Sequence, residues 1–244
     1  MAETDADRFL KASNETERHL QTVLQEDESI SFKKLVREQG NRRVGPVRTH
    51  EYELKNLADL RNTIVHNPRR DGVAIAEPRR DIVERMGELK ILIIDPPKAY
   101  PRFETNVTTA RRDSPVRKII QDMQQRNYSQ APILDDGNNV LGLLTANTIA
   151  RWVGANIDQD RQGDEFLLTE ETTVAHVQEY IEREDNYTFL TRSATFFDAA
   201  EVFRVKSDGY GPIDAVLITE NGESFESLLG IVTVADLPAI QRKL

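Results

Sequence analysis

One short pattern occurs twice in this chain and constrains its fold more than any other feature. Gly230-Ile231-Val232-Thr233-Val234-Ala235-Asp236 has a weaker copy at Gly142-Leu143-Leu144-Thr145-Ala146-Asn147-Thr148. Each copy closes a short apolar run, and each follows a turn signal, Asn221-Gly222 or Asp136-Gly137. A strand that breaks at threonine into a helix leaves the first helical N–H groups unpaired, and a threonine hydroxyl can cap them. Those N–H groups, a hydroxyl and a carboxylate one turn on suit a ribose and its phosphates. Two such units in one chain point to a paired sensor rather than a single catalytic pocket.

The order around the pattern repeats too. In the first copy Val107 and Thr108 open a strand, and Ser114-Pro115 starts a helix through Ile119, Ile120 and Met123. Strands follow at 133–134 and 140–144, and Thr145 caps a helix to Val153. The second copy has strands at 187–190, 215–218 and 228–232, a helix over 195–203, and Thr233 as the cap. The intervening segment, 158–185, has no counterpart and carries an amphipathic helix through Val174, Val177 and Ile181. One repeat alone leaves a sheet face bare, whereas two together can share a core.

The first 95 residues read as helical. Phe9, Thr16, Leu20, Val23 and Leu24 form a rough 3.6-residue stripe. A short helix is expected over 32–39 with Gly40 as its stop, then a break at Gly45-Pro46. A strong helix over 49–65 places Leu54, Leu57, Ala58, Leu60, Ile64 and Val65 on one face, and Asn67-Pro68 ends it. A last helix is expected from Pro78 to Ile94, buried through Ile82, Met86, Leu89 and Ile93. Asp95-Pro96-Pro97 and Pro101 mark a linker over 96–101.

Composition narrows the function classes. The chain has 244 residues and no cysteine, so disulfides and thiolate metal sites are excluded. Acids begin at Glu3 with no apolar run behind them, and the longest aliphatic run, 91–94, is far too short to span a bilayer. A cytoplasmic protein without membrane association is expected. The net charge of −9 argues against nonspecific duplex binding by the whole chain. Residues 32–90 nonetheless hold 14 bases against 9 acids, and Arg42, Arg43, Arg48, Arg69, Arg70, Arg79 and Arg80 offer a local polyanion contact or an ordinary solvated face. No P-loop, His-Glu-x-x-His, EF-hand or nucleophile-elbow motif appears, and no metal site is expected.

Over residues 100–244 the strand-helix-strand-turn-strand order, closed by Gly-hydrophobic-hydrophobic-Thr-x-x-Asp, resembles the tandem cystathionine-β-synthase (CBS) domain pair. The resemblance implies an adenine nucleotide as regulatory ligand, with the threonine hydroxyl on phosphate or ribose and the acid on the ribose hydroxyls. Gly230, Thr233 and Asp236 match the family motif. In the first copy Gly142 and Thr145 match, but Thr148 stands at the acidic position and Asn147 lies one residue early. One ligand site is therefore expected, on Thr233 and Asp236, completed by Ile213 and Asp214 before the second strand and by Val107 and Thr108 of the other repeat. Thr145 is the corresponding cap in the first copy. A threonine capping a helix with Asp at the third position is also ordinary capping, which needs no ligand.

Arg61-Asn62-Thr63-Ile64-Val65-His66 ends the strong helix. Arg61 falls within the apolar face, where a guanidinium is costly unless it is paired or faces an interface. This stretch resembles the HEPN fold (higher eukaryotes and prokaryotes nucleotide-binding), a dimerising helical domain. Many members are metal-independent endoribonucleases with an Arg-polar-x-x-x-His signature. The resemblance implies that His66 acts as general base or acid, that Arg61 stabilises a phosphorane, and that the product is a 2′,3′-cyclic phosphate. Asn62 would be the polar member, with Arg69 and Arg70 rimming the cleft of a homodimer.

The fold expected is α+β: an all-α, HEPN-like domain over 1–95, a Pro-rich linker over 96–101, and β-α-β-β-α repeats over 102–157 and 186–244 flanking the connecting segment 158–185. The function expected is a nucleotide-gated ribonuclease acting on RNA. The alternative is a non-catalytic sensor or scaffold whose helical domain only dimerises or docks a partner.

Overall fold

The computed structural model describes residues 3–42, 45–66, 76–103, 106–157, 171–181, 183, 185–207 and 213–241. Contacts divide the chain into two compact units, a helical one that runs to Pro97 and takes in Phe196–Asp198, and one built of the repeats over Lys98–Thr195 and Ala199–Gln241.

In the helical unit, α1 (Asp5–Leu24) starts at Thr4, whose hydroxyl accepts from the Asp7 N–H at 3.1 Å while the Asp7 carboxylate accepts from the Thr4 N–H at 3.3 Å. α2 (Phe32–Arg42) runs through Gly40 instead of stopping there. A Cβ at Gly40 would lie 3.1 Å from the Glu51 carboxylate, so this glycine permits a close approach rather than a helix end. The helix expected over 49–65 is α4 (Glu51–His66), preceded by an unexpected one-turn α3 (Pro46–Thr49) led by Gly45-Pro46. α5 (Arg80–Ile94) begins after Arg79, two residues later than Pro78 suggested. Its buried stripe is Val83, Met86, Leu89 and Ile93, with Ile82 only partly covered. Phe9, Leu20, Phe32, Leu35, Leu54, Met86 and Leu89 are fully buried and form the core of this unit.

Polar ties bind these helices. Lys90 reaches Glu15 at 2.9 Å, joining α5 to α1. Arg85 clasps both oxygens of Glu53, at 2.8 and 2.9 Å, with His50 Nδ1 3.4 Å from the same guanidinium. Hydrogen bonding from Arg85 holds the Glu53 carboxyl below its ordinary value. A carboxyl lowered in the folded state adds stability above its unfolded pKa of about 4.3, and that stability is lost as pH falls through the folded value. The difference in Tm between wild type and Glu53→Gln is therefore expected to be largest at neutral pH and to shrink below about pH 4.

The repeat unit contains two three-stranded sheets of identical order. In the first, β1 (Ala110–Arg111) pairs parallel with β2 (Gln130–Leu134), which pairs antiparallel with β3 (Val140–Thr145). α6 (Val116–Arg126) makes the crossover that a parallel pair needs, and α7 (Ala146–Ile157) follows β3. After α8 (Val174–Gln178), β4 (Tyr187–Thr191), α9 (Phe196–Ser207), β5 (Ala215–Thr219) and β6 (Gly230–Thr233) repeat the pattern, with β4 parallel and β6 antiparallel to β5. A short 3₁₀ turn, Val234–Asp236, leads into α10 (Leu237–Gln241). Leu134, Val140 and Leu143 of the first sheet share a core with Ala215 and Leu217 of the second. The Val140 N–H donates to the Ser224 carbonyl at 3.0 Å across the same junction.

Two expectations are corrected. Val107 and Thr108 are not in a strand, because ladder pairing begins only at Ala110, opposite Ile133. The connecting segment does have a counterpart. Thr173 bridges Pro115 at the start of α6, just as Lys98 bridges Thr195 at the start of α9. Each repeat's first helix is thus met by residues that precede the other repeat in sequence, which no local pattern reveals. Among the described residues no helix is long and apolar enough to cross a membrane.

Candidate functional site

The second threonine motif opens onto a cavity of about 480 Å³. Its walls are Thr233, Ala235 and Asp236 from the end of β6, Phe103 and Asn106 to Thr108 ahead of β1, and Arg126 to Gln130 between α6 and β2. Asp236, one turn beyond Thr233, folds back on it. Its Oδ2 accepts from the Thr233 N–H at 2.8 Å and from the Thr233 hydroxyl at 3.1 Å. Both bonds described for this carboxylate fall on Oδ2, and Asp236 lines the cavity wall. Across from it, Arg126 donates from Nη1 to the Thr108 hydroxyl at 3.2 Å. Asn127, left-handed at φ 55°, caps α6 and turns the chain toward β2. The Tyr128 hydroxyl is buried with no protein partner among the described residues.

The first motif faces a second cavity of about 380 Å³. Thr145 caps α7 by accepting from the Thr148 N–H at 3.0 Å, and the two hydroxyls lie 3.0 Å apart. Thr148 is buried, so the position that bears a carboxylate in the second motif carries a neutral hydroxyl paired to its neighbour. Asn186 and Asp214 line the same space. Asn186 Nδ2 donates to Asp214 Oδ2 at 2.8 Å, and its own Oδ1 is buried without a protein partner among the described residues.

The residues expected to form one site therefore divide. Thr233, Asp236, Val107 and Thr108 line the larger cavity. Asp214 and Thr145 line the smaller one, because the Asp214 N–H donates to the Asn186 carbonyl at 2.7 Å and fixes the entry to β5 beside the entry to β4. Gly230 is buried in the ladder opposite Ile218 and Ile213 is 2% exposed, and neither is among the described residues lining the two cavities. Ser129 and Gln130 border both cavities. Sequence reasoning passed over Arg126, Tyr128 and Asn186, although Arg126-Asn127 carried a usable signal: a basic residue and an Asn stop before the second strand.

In the helical unit both terminal nitrogens of Arg61 are paired internally. Its guanidinium reaches Glu17 on α1 at 2.9 Å, Asn14 at 3.3 Å and Asn62 at 3.2 Å. Nε is buried without a partner among the described residues. Asn62 is half-buried and His66 is exposed at the last position of α4. Of the arginines expected on a polyanion-binding face, Arg79 and Arg80 pair with Asp81 and Glu84, and Arg48 is exposed. Arg43, Arg69, Arg70 and the Arg42 side chain lie outside the described residues.

Two sheets of one topology that share a core, each with a cavity at its threonine motif, define a tandem-repeat α+β protein. Residues 103–155 match the family model of the CBS domain. A stretch of 112 residues, 44% of the chain, is 26% identical to the uncharacterized protein MJ1225 of Methanocaldococcus jannaschii; the match spans 38% of that relative's length. Among solved structures, a CBS-domain containing protein of Agrobacterium tumefaciens is 16% identical with a TM-score of 0.39, covering 56% of this chain and 84% of that one. CBSX2 in complex with AMP is 13% identical with a TM-score of 0.39, covering 59% of this chain and 96% of that one.

Proposed function

We propose that the repeat unit binds an adenine nucleotide in the cavity built on Thr233 and Asp236, and that occupancy of this cavity regulates the helical unit. The observation that carries this reading is the half-used carboxylate of Asp236. One of its oxygens takes both bonds described from Thr233, the other has no bond described, and the residue lines a cavity of nucleotide size. A vicinal diol is well met by one ionised carboxylate. The test is a thermal-shift screen with adenosine, AMP, ADP and ATP on wild type and Asp236→Ala. A ligand at 100 times its Kd adds about 2.7 kcal/mol of stability, a shift of several degrees. That shift is expected in wild type and absent in Asp236→Ala, read against each variant's own ligand-free Tm. No shift in wild type with any of the four overturns the reading.

The helical unit is the proposed output, a homodimeric, metal-independent endoribonuclease that uses Arg61, Asn62 and His66 on RNA. The Arg61–Asn62 bond supports the grouping, as does the exposed position of His66 at the helix end. One observation favours a second reading. Arg61 is already compensated by Glu17 within its own unit, which suits a non-catalytic scaffold that dimerises or docks a partner. Arg61→Ala leaves Glu17, whose side chain is 13% exposed, without its cation. It is expected to destabilise the protein by about 1–3 kcal/mol in urea denaturation, on either reading.

A further inference from the structure

We infer that the Thr233–Asp236 cavity is selective for a nucleoside bearing a single phosphate, and that Arg126 is the residue that discriminates. This rests on the nucleotide reading above and deepens it. Among the described residues that line the cavity, the charged groups are one carboxylate, Asp236, and one guanidinium, Arg126. The two chemistries are thereby separated: the acid suits the ribose diol, and the cation is the site's one charged partner for an anion. Arg126 is not free to wander. It sits on the last turn of α6, where the helix dipole favours a cation, and Nη1 is tied to the Thr108 hydroxyl at 3.2 Å. The remaining guanidinium donors are unassigned among the described bonds, enough for a bidentate grip on one phosphate.

Beyond Arg126 the cavity meets an open cleft of about 790 Å³, so a longer polyphosphate is not blocked by bulk. What the cleft's described lining residues lack is a second cation beside Arg126. It continues past Asn138, Leu134, Leu228 and Leu229, and among its described lining residues Arg126 is the single ionised group. Arg111, on the adjoining strand, is already committed to the β2–β3 turn through the Asp135 carbonyl, Asn138 at 3.1 Å and Asp136 at 3.4 Å. A β- or γ-phosphate would therefore bring charge into a region whose described lining residues offer no cation beyond Arg126, already engaged by the first phosphate. Residues 158–244, which include the motif, add 18 acids against 7 bases. Discrimination against di- and triphosphates is thus electrostatic rather than steric.

The test is calorimetric titration of the full chain with adenosine, AMP and ATP, without divalent metal, in wild type and Arg126→Gln. AMP is expected to bind about tenfold more tightly than adenosine, the worth of a charge-assisted contact, and more tightly than ATP. In Arg126→Gln the affinity for AMP is expected to fall to that for adenosine, while adenosine itself binds as in wild type. Because Arg126 is exposed, the substitution leaves the core intact. ATP binding as tightly as AMP in wild type overturns the inference, as does an equal loss of adenosine and AMP in the variant. If none of the three binds wild type, the nucleotide reading itself fails, an outcome distinct from binding with the wrong order.

Discussion

Replacing Leu217 with alanine is expected to lower stability by about 2–5 kcal/mol. Leu217 is fully buried at the centre of β5, opposite Phe189 on one side and Ile231 on the other. Its side chain also belongs to the cluster that joins the two sheets, with Leu134, Val140 and Leu143. Three directions of packing leave little freedom for neighbours to close the gap, which places the cost toward the upper part of that range. Urea denaturation should show a lower midpoint at unchanged m. Leu141→Ala is the matched control, since Leu141 lies on β3 but points outward and is 42% exposed. Its expected cost is within about 0.5 kcal/mol. Similar losses for the two variants would show that the sheets do not share the core described.

His66→Ala is expected to cut RNA cleavage by about 10²–10⁴-fold, the usual contribution of a positioned general acid or base. His66 is exposed at the end of α4, so Tm should not move. The pairing of these two readouts matters, because Arg61→Ala disturbs both the proposed chemistry and the Glu17 bridge and cannot tell one from the other. An unchanged cleavage rate in His66→Ala, or no cleavage by wild type, leaves the helical unit as a dimerising or docking scaffold.

Much of this protein was readable from local signals. Asp136-Gly137 and Asn221-Gly222 mark the two strand-to-strand connections, although the left-handed residue is Asn138 in the first and Gly222 in the second, and the second connection runs ten residues from Thr219 to Gly230. Thr145 and Thr233 mark the strand-to-helix breaks because a cap is a contact between residues three apart. The difference between the motifs was legible for the same reason: Thr148 and Asp236 each answer to the threonine one turn back. Long-range pairing was not legible. Glu17 meets Arg61 from another helix, and nothing near Arg61 in sequence announces it. Asp214 lines the cavity of the first motif because its position is set by Asn186, across a parallel pair whose register the sequence does not encode locally. Val107 and Thr108 have strand-like composition but lie before the ladder begins, and there they line a cavity wall.

The exchanged bridges carry a consequence for how the chain reaches this fold. Lys98 meets Thr195, and Pro115 meets Thr173, so each clasp closes a loop that contains most or all of a repeat. Contacts of such separation pay loop-closure entropy before they are rewarded, and topologies rich in them fold slowly. The hairpins β2–β3 and β5–β6 are local and can form early. The clasps, and the cavities whose walls come from both repeats, are complete only when the whole unit has come together. A ribosome that has released the first repeat has therefore not yet released a finished site, and the last residues of Thr233–Asp236 are the ones that close it.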